Sequence, residues 1–98
     1  MLAEFVREIT LGTESGSSAS GVAVDADGAL YVIDALKDHI RVFDRDGNPV
    51  ATWGERGEGP GQFTFEEGGY WWGDLAIGPD GLLYVADEST GRVLALRA

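Results

Sequence analysis

The chain repeats itself, and that feature constrains its fold more than any other. Val22-Ala-Val-Asp-Ala-Asp-Gly-Ala-Leu-Tyr-Val-Ile-Asp34 lies over Leu75-Ala-Ile-Gly-Pro-Asp-Gly-Leu-Leu-Tyr-Val-Ala-Asp87, aligning Gly28 with Gly81, Tyr31 with Tyr84 and Asp34 with Asp87 at a spacing of 53 residues. At the same spacing His39-Ile-Arg-Val-Phe43 lies over Arg92-Val-Leu-Ala-Leu96. Phe5-Val-Arg-Glu-Ile-Thr-Leu-Gly12 matches Pro49-Val-Ala-Thr-Trp-Gly54 by pattern. Each unit thus holds four short segments. A period of this size belongs to solenoids and propellers, in which one unit cannot bury its apolar face alone and must stack on the next.

The segments read as strands. Residues 21–25, 30–34, 39–44, 74–78, 83–87 and 92–97 are rich in Val, Ile, Leu and Tyr and are separated by polar loops. Asp27-Gly28, Asp46-Gly47 and Asp80-Gly81 are hairpin signals, expected as tight primed turns in which Asp and Gly both tolerate positive φ. Leu30–Ile33 and Leu82–Ala86 are apolar without alternation, as in strands covered on both faces. Phe5–Leu11 alternates, with Arg7 and Glu8 interleaved, and is expected to form an outer, half-exposed strand.

Composition removes other classes. With 44% hydrophobic and 24% charged residues over 98 positions, the chain is one globular domain. It has no cysteine, which excludes a disulfide scaffold and a cysteine zinc site. A net charge of −10 repels phosphate backbones, so no nucleic-acid partner is expected. Glu4, Arg7 and Glu8 break up the opening segment and no run is long enough to span a bilayer, so no membrane partner is expected and the default location is cytoplasmic.

Gly-Val-Ala-Val-Asp-x-Asp-Gly-x-Leu-Tyr-Val-x-Asp, then x-His-Ile-Arg-Val-Phe-Asp-x-Asp-Gly, then a strand ending Trp-Gly-x-x-Gly-x-Gly-x-Gly-Gln-Phe63, resembles the NHL repeat. The resemblance covers residues 21–63 and 74–98. It lacks the Gly-Gln-Phe element in the linker 13–20, and it carries extra residues at 64–73, where a short Pro-containing link is usual. It implies four-stranded antiparallel propeller blades, most often six to a ring, with the sequence repeat offset by one strand from the blade. The expected organisation is a single two-blade unit over 1–98. Within it, 1–12 is an outer strand completing a neighbouring subunit's blade, 21–54 the first blade, 55–73 an inserted loop and 74–98 three strands of the second blade.

The strand order leaves an orphan at the start and an unfinished blade at the end. A bare strand edge templates pairing, and two blades cannot curve far enough to close on themselves. The expected partner is therefore the chain itself, a homotrimer forming one six-bladed ring by strand exchange. Phe5, Ile9, Leu11, Val93, Leu94 and Leu96 are the candidate interface residues.

Little in the sequence points to catalysis. Asp44-Arg-Asp-Gly-Asn48 resembles the start of a calcium loop but reads better as a hairpin turn. Asp34 and Asp87 end equivalent strands and are expected to accept backbone hydrogen bonds from the loop that follows. His39, the sole histidine, occupies a structural position of the resembled repeat. No serine stands in a nucleophile motif, and Gly57–Gly61 lacks the Lys-Ser/Thr of a phosphate loop. No catalytic residue, metal ligand or cofactor is therefore expected. Glu66, Glu67, Tyr70, Trp71 and Trp72 remain as a candidate ligand surface, where aromatics beside carboxylates suit a sugar ring or a cationic group; burial at a subunit seam is the competing use. The expected function is a non-enzymatic binding and assembly module presenting this loop face to a small molecule, carbohydrate or protein. The alternative is a unit of a lactonase- or lyase-like propeller enzyme with a central metal. The acid and histidine cluster such a centre needs is not visible at the inner strands, which Val22, Val24, Leu75 and Ile77 dominate.

Overall fold

The computed structural model describes residues 3–11, 17–71 and 73–97. Four strands, β1 (Ala19–Val24), β2 (Leu30–Asp34), β3 (His39–Phe43) and β4 (Pro49–Trp53), form one antiparallel sheet in sequence order. The connection that follows contains two small pairings. β5 (Glu55–Arg56) runs parallel to β6 (Gln62–Phe63), and β7 (Glu66–Glu67) is antiparallel to β8 (Tyr70–Trp71). The second sheet has three strands, β9 (Asp74–Ile77), β10 (Leu83–Asp87) and β11 (Arg92–Leu96), with β10 in the middle. The protein is all-β apart from one 3-10 turn at Glu88–Thr90.

The sequence repeat is also a repeat of register. Val22 faces Val32 and Val24 faces Leu30, while Leu75 faces Val85 and Ile77 faces Leu83. Asp34 faces His39 and Leu30 faces Phe43, while Asp87 faces Arg92 and Leu83 faces Leu96. Every one of these pairs moves onto its counterpart by 53 residues.

The Asp-Gly turns share one geometry, which is not the primed turn expected. Gly28, Gly47 and Gly81 take positive φ, but the aspartates before them do not; Asp38 is the one non-glycine with positive φ among the described residues. In each turn the glycine N–H donates back three residues, to Asp25, Asp44 or Gly78, whose own N–H donates four residues ahead to Ala29, Asn48 or Leu82. This is the three-residue hairpin with a glycine in the left-handed region. Asp25 and Asp44 then cap their turns, each carboxylate accepting two N–H groups at 2.9–3.0 Å.

One buried cluster joins the sheets. Tyr31, Ile33, Ile40 and Val42 of the first sheet pack with Leu75, Leu83 and Val85 of the second, and Phe63 and Phe65 are buried in the same cluster. The period-two pattern of a strand makes these residues one face of each sheet. β1 and β9 run side by side at this junction.

Residues 3–10 form no strand. The expected outer strand is therefore not paired within the chain. The segment instead lies against the far side of the first sheet, where the Arg7 guanidinium donates to the Arg45 carbonyl and Arg41 donates to that of Leu11. Ile9 sits beside Gly47.

Candidate functional site

Two regions hold the residues singled out from the sequence: the free edge of the second sheet, and the connection between the sheets.

At the edge, β11 has β10 on one side and no strand on the other among the described residues. Its counterpart β3 has β4 there. The exposure pattern follows: Ile40 is 0% exposed and its aligned residue Val93 is 72% exposed. Leu94 and Leu96 point the other way and pack against the chain's own core. Of the three candidate interface residues on β11, only Val93 thus offers its side chain outward. On the N-terminal segment Phe5 is 81% exposed, while Ile9 and Leu11 are half-buried in a groove shared with Arg41, Phe43 and Pro49.

The connection is not a free insertion. Its first half is locked to both sheets by groups remote in sequence. Asp87 is fully buried and accepts the Thr64 N–H at 3.0 Å and the Arg92 guanidinium at 3.0 Å. Arg92 also donates to the carbonyls of Glu58 at 2.7 Å and Gln62 at 3.1 Å, so one guanidinium staples the glycine-rich stretch to β11. Ser89 donates to the Thr64 carbonyl from the adjoining 3-10 turn. On the other side, buried Asp38 accepts the Phe65 N–H at 2.7 Å and pairs with Arg56 at 3.1 Å. Phe63 and Phe65 stack at 5.1 Å, and the Phe63 ring lies so close to Gly54 that a Cβ there would approach it to 2.5 Å. Gly54 also has φ of +93°, so the motif Trp-Gly-x-x-Gly serves to bury Phe63.

The second half carries the proposed ligand residues. Tyr70 is 63% exposed on the β7–β8 hairpin, and Glu66 is half-buried. One Glu66 carboxylate oxygen accepts the Gly69 N–H at 3.2 Å, while the other lies 3.5 Å from Arg56. Glu67 and Trp71 are placed as strand residues; Trp72 lies outside the described residues. Asp38 and Arg92 hold this region, yet neither stands out in the sequence. The available signal for Asp38 was an aspartate ending a tight Leu-Lys-Asp turn, a residue type that tolerates the left-handed region.

The strand-end carboxylates do accept backbone N–H groups, though from the segment before the sheet; the loop after it reaches Asp34 at the carbonyl, which accepts the Lys37 N–H at 3.3 Å. Asp34 accepts the Ser18 N–H at 3.0 Å as Asp87 accepts that of Thr64. The two differ beyond that. Asp87 has Arg92, whereas the second carboxylate oxygen of Asp34, also fully buried, meets no hydrogen-bond donor among the described residues.

Several carboxyls titrate low. Burial works against ionisation of Asp25, but N–H donors at Ala29, Asp27 and Gly28 and the Tyr31 hydroxyl outweigh it and lower its pKa. The Asn48 N–H lowers Asp44, and the Leu82 N–H followed by the Tyr84 hydroxyl lowers Asp80. Tyr31 is raised by burial and by its bond to Asp25, and Tyr84 by its bond to Asp80. The Asp44 carboxylate is committed to its own turn. Among the described residues no three His, Cys, Asp or Glu side chains converge as a metal site, and no helix is long and apolar enough to cross a membrane.

No model of a known protein family matches the chain, and no curated protein matches it.

Proposed function

We propose that the chain is a binding and assembly module whose copies join head to tail, residues 3–11 of one copy pairing with the open edge of β11 in the next. The contrast between the two sheets carries this reading: β3 and β11 share sequence pattern and register, yet only β3 has an outer strand. The N-terminal segment supports it by position. It lies on the face of the first sheet that bears Arg41 and Phe43; the aligned residues of the second sheet, Leu94 and Leu96, belong to one apolar cluster with Ala51 and Trp53 of β4. The segment thus occupies, beside the first sheet, the place that β4 occupies beside the second, with its strand edge unpaired. Three copies would supply six four-stranded units, the number usual for the NHL propellers that the sequence resembles. The β7–β8 hairpin with exposed Tyr70 is the surface offered for binding.

Light scattering across a concentration series tests the reading, with a trimer expected from the full chain and association lost on deleting residues 1–11. Because each copy carries −10, added salt should strengthen the assembly by screening. A full chain that stays monomeric, or a deleted chain that assembles as before, overturns the proposal.

A further inference from the structure

The two sheets meet through unlike faces, and the chain leaves one copy of the first face open and one copy of the second only partly covered. Inside the chain, the first sheet contributes Tyr31, Ile33, Ile40 and Val42, which may be termed the donor face, and the second sheet contributes Leu75, Leu83, Val85 and Leu94, the acceptor face. Moving these residues by the repeat spacing gives the outer faces. The second sheet's donor face is Tyr84, Ala86, Val93 and Ala95, and it lies open, with Val93 72% exposed above a shallow pocket formed with Tyr84 and Ala86. The first sheet's acceptor face is Val22, Leu30, Val32 and Arg41, with Val24 alongside; residues 7–11 cover its Arg41 end, while Val22 and Val24 are left 57% and 58% exposed. Large apolar side chains on two open sheet faces mark interaction surfaces.

We infer that these two faces are a second, side-chain interface between copies of this chain, the Tyr84–Val93 face of one copy seating on the Val22–Val24 face of the next. The occupant is fixed by the buried junction already present within each chain, which joins the same two faces, in the same register, one repeat earlier. The interface is heterologous: donor meets acceptor and neither meets itself. Such a contact closes into a ring or runs on as a filament, and does not make a two-fold dimer. It deepens the assembly reading above, because it lies on the same side of each copy as the strand exchange but does not use the backbone edge. One position departs from the template. An added Cβ at Gly21 would come within 3.2 Å of the Asp74 backbone, and the residue aligned with Gly21 on the open donor face is Asp74 itself, so the seam between copies is wider there by a side chain.

The test uses two full-length variants, V93R blocking the donor face and V24R blocking the acceptor face, with V22R as a second acceptor block. All three sites are exposed, so the fold should survive, which circular dichroism checks. Each variant alone is expected to lose the assembled species in light scattering. Mixed one to one, V93R and V24R retain one good face each and should form a heterodimer and nothing larger. If V24R and V22R both assemble like the parent, or the mixture stays monomeric, the inference is overturned. If both acceptor variants assemble normally while deletion of residues 1–11 abolishes assembly, strand exchange stands and the face pairing falls. A parent chain that is monomeric at every concentration removes both.

Discussion

The two sheets are near-copies in sequence and register, but they are finished differently. The first has a fourth strand, and the apolar residues of its third strand are buried, Ile40 and Phe43 being 0% and 2% exposed. The second lacks that strand and turns Val93 to solvent. The second sheet holds the connection between the sheets through Arg92, which stands at the position of His39, whereas the first holds it through Asp38 and its pair with Arg56. The fourth strand thus distinguishes the two copies, while each holds the connection through an ion pair at a different position of the pattern. The difference teaches that the repeat encodes strand pairing, while the residues that diverge within it decide what each copy is attached to.

Breaking the staple should have the largest effect on a single chain. Arg92→Met leaves Asp87 buried without its cation, and losing one partner of a buried pair costs about 3 kcal/mol or more. The aligned His39→Met should cost under about 1 kcal/mol, since His39 is half-buried and makes no ion pair with another described residue. Urea unfolding of both variants at one protein concentration checks the asymmetry; equal losses would mean that the staple is not what distinguishes the sheets.

Gly54→Ala follows, at about 2 kcal/mol or more, since the backbone there holds a positive φ that a Cβ disfavours and the added methyl meets the Phe63 ring. Gly81→Ala, with positive φ but no atom within 4 Å of the new Cβ, should cost about half that or less, and thermal melts rank the two. The aspartates give a smaller and sharper contrast. Asp87→Asn weakens two charge-assisted bonds and should lower stability by about 1–3 kcal/mol, whereas Asp34→Asn keeps an acceptor for Ser18, replaces a buried oxygen that meets no hydrogen-bond donor among the described residues, and should be neutral or stabilising. A loss in Asp34→Asn as large as that in Asp87→Asn would show that the first site has a partner equal to Arg92.

The mildest test is acid. Asp25, Asp44 and Asp80 have lowered pKa values, so the folded chain binds their protons less readily than the unfolded one. Their contribution is present above the ordinary carboxyl value of 3.8 and is lost as pH falls through the lower folded values. Melting temperature should therefore drop below about pH 4, and less so in a chain carrying Asp25→Asn and Asp44→Asn. At the other extreme the raised Tyr31 and Tyr84 stabilise the fold up to pH 10 and less above it.

Most of the pairing was legible because it is local. Tyr, Val and Ile runs flanked by Asp-Gly name both ends of a hairpin within a dozen residues, and the strand bounds at 30–34 and 83–87 coincide with those observed. What the sequence obscured is long-range. Arg92 reaches Glu58 across 34 positions and Asp38 reaches Phe65 across 27, and nothing local to either residue names its partner. Phe63 and Phe65 read as parts of an insertion because a glycine-rich stretch looks solvent-exposed until Gly54 is seen to clear room for a ring. The turn type was missed for a different reason. Asp-Gly satisfies both the primed turn and the three-residue form; Asp25 and Asp44 cap two of the three turns, but the Gly78–Leu82 turn takes the same form without such a cap. The alternation of residues 5–11 did not translate into pairing, since residues 3–10 form no strand.

The shared register has a kinetic side. A segment such as β10 meets in β1 and β3 nearly the same pairing partners that it meets in β9 and β11, so a newly made chain can cross-pair its two copies into a misassembled product. Loop length is what separates the outcomes. β2 reaches β1 and β3 by closing loops of about five residues, whereas a pairing across copies must close some fifty, a longer search that is slower and entropically dearer. Synthesis from the N-terminus adds to the bias, because the first sheet is complete before β9 leaves the ribosome, and the second copy then emerges to find its wrong partners already taken.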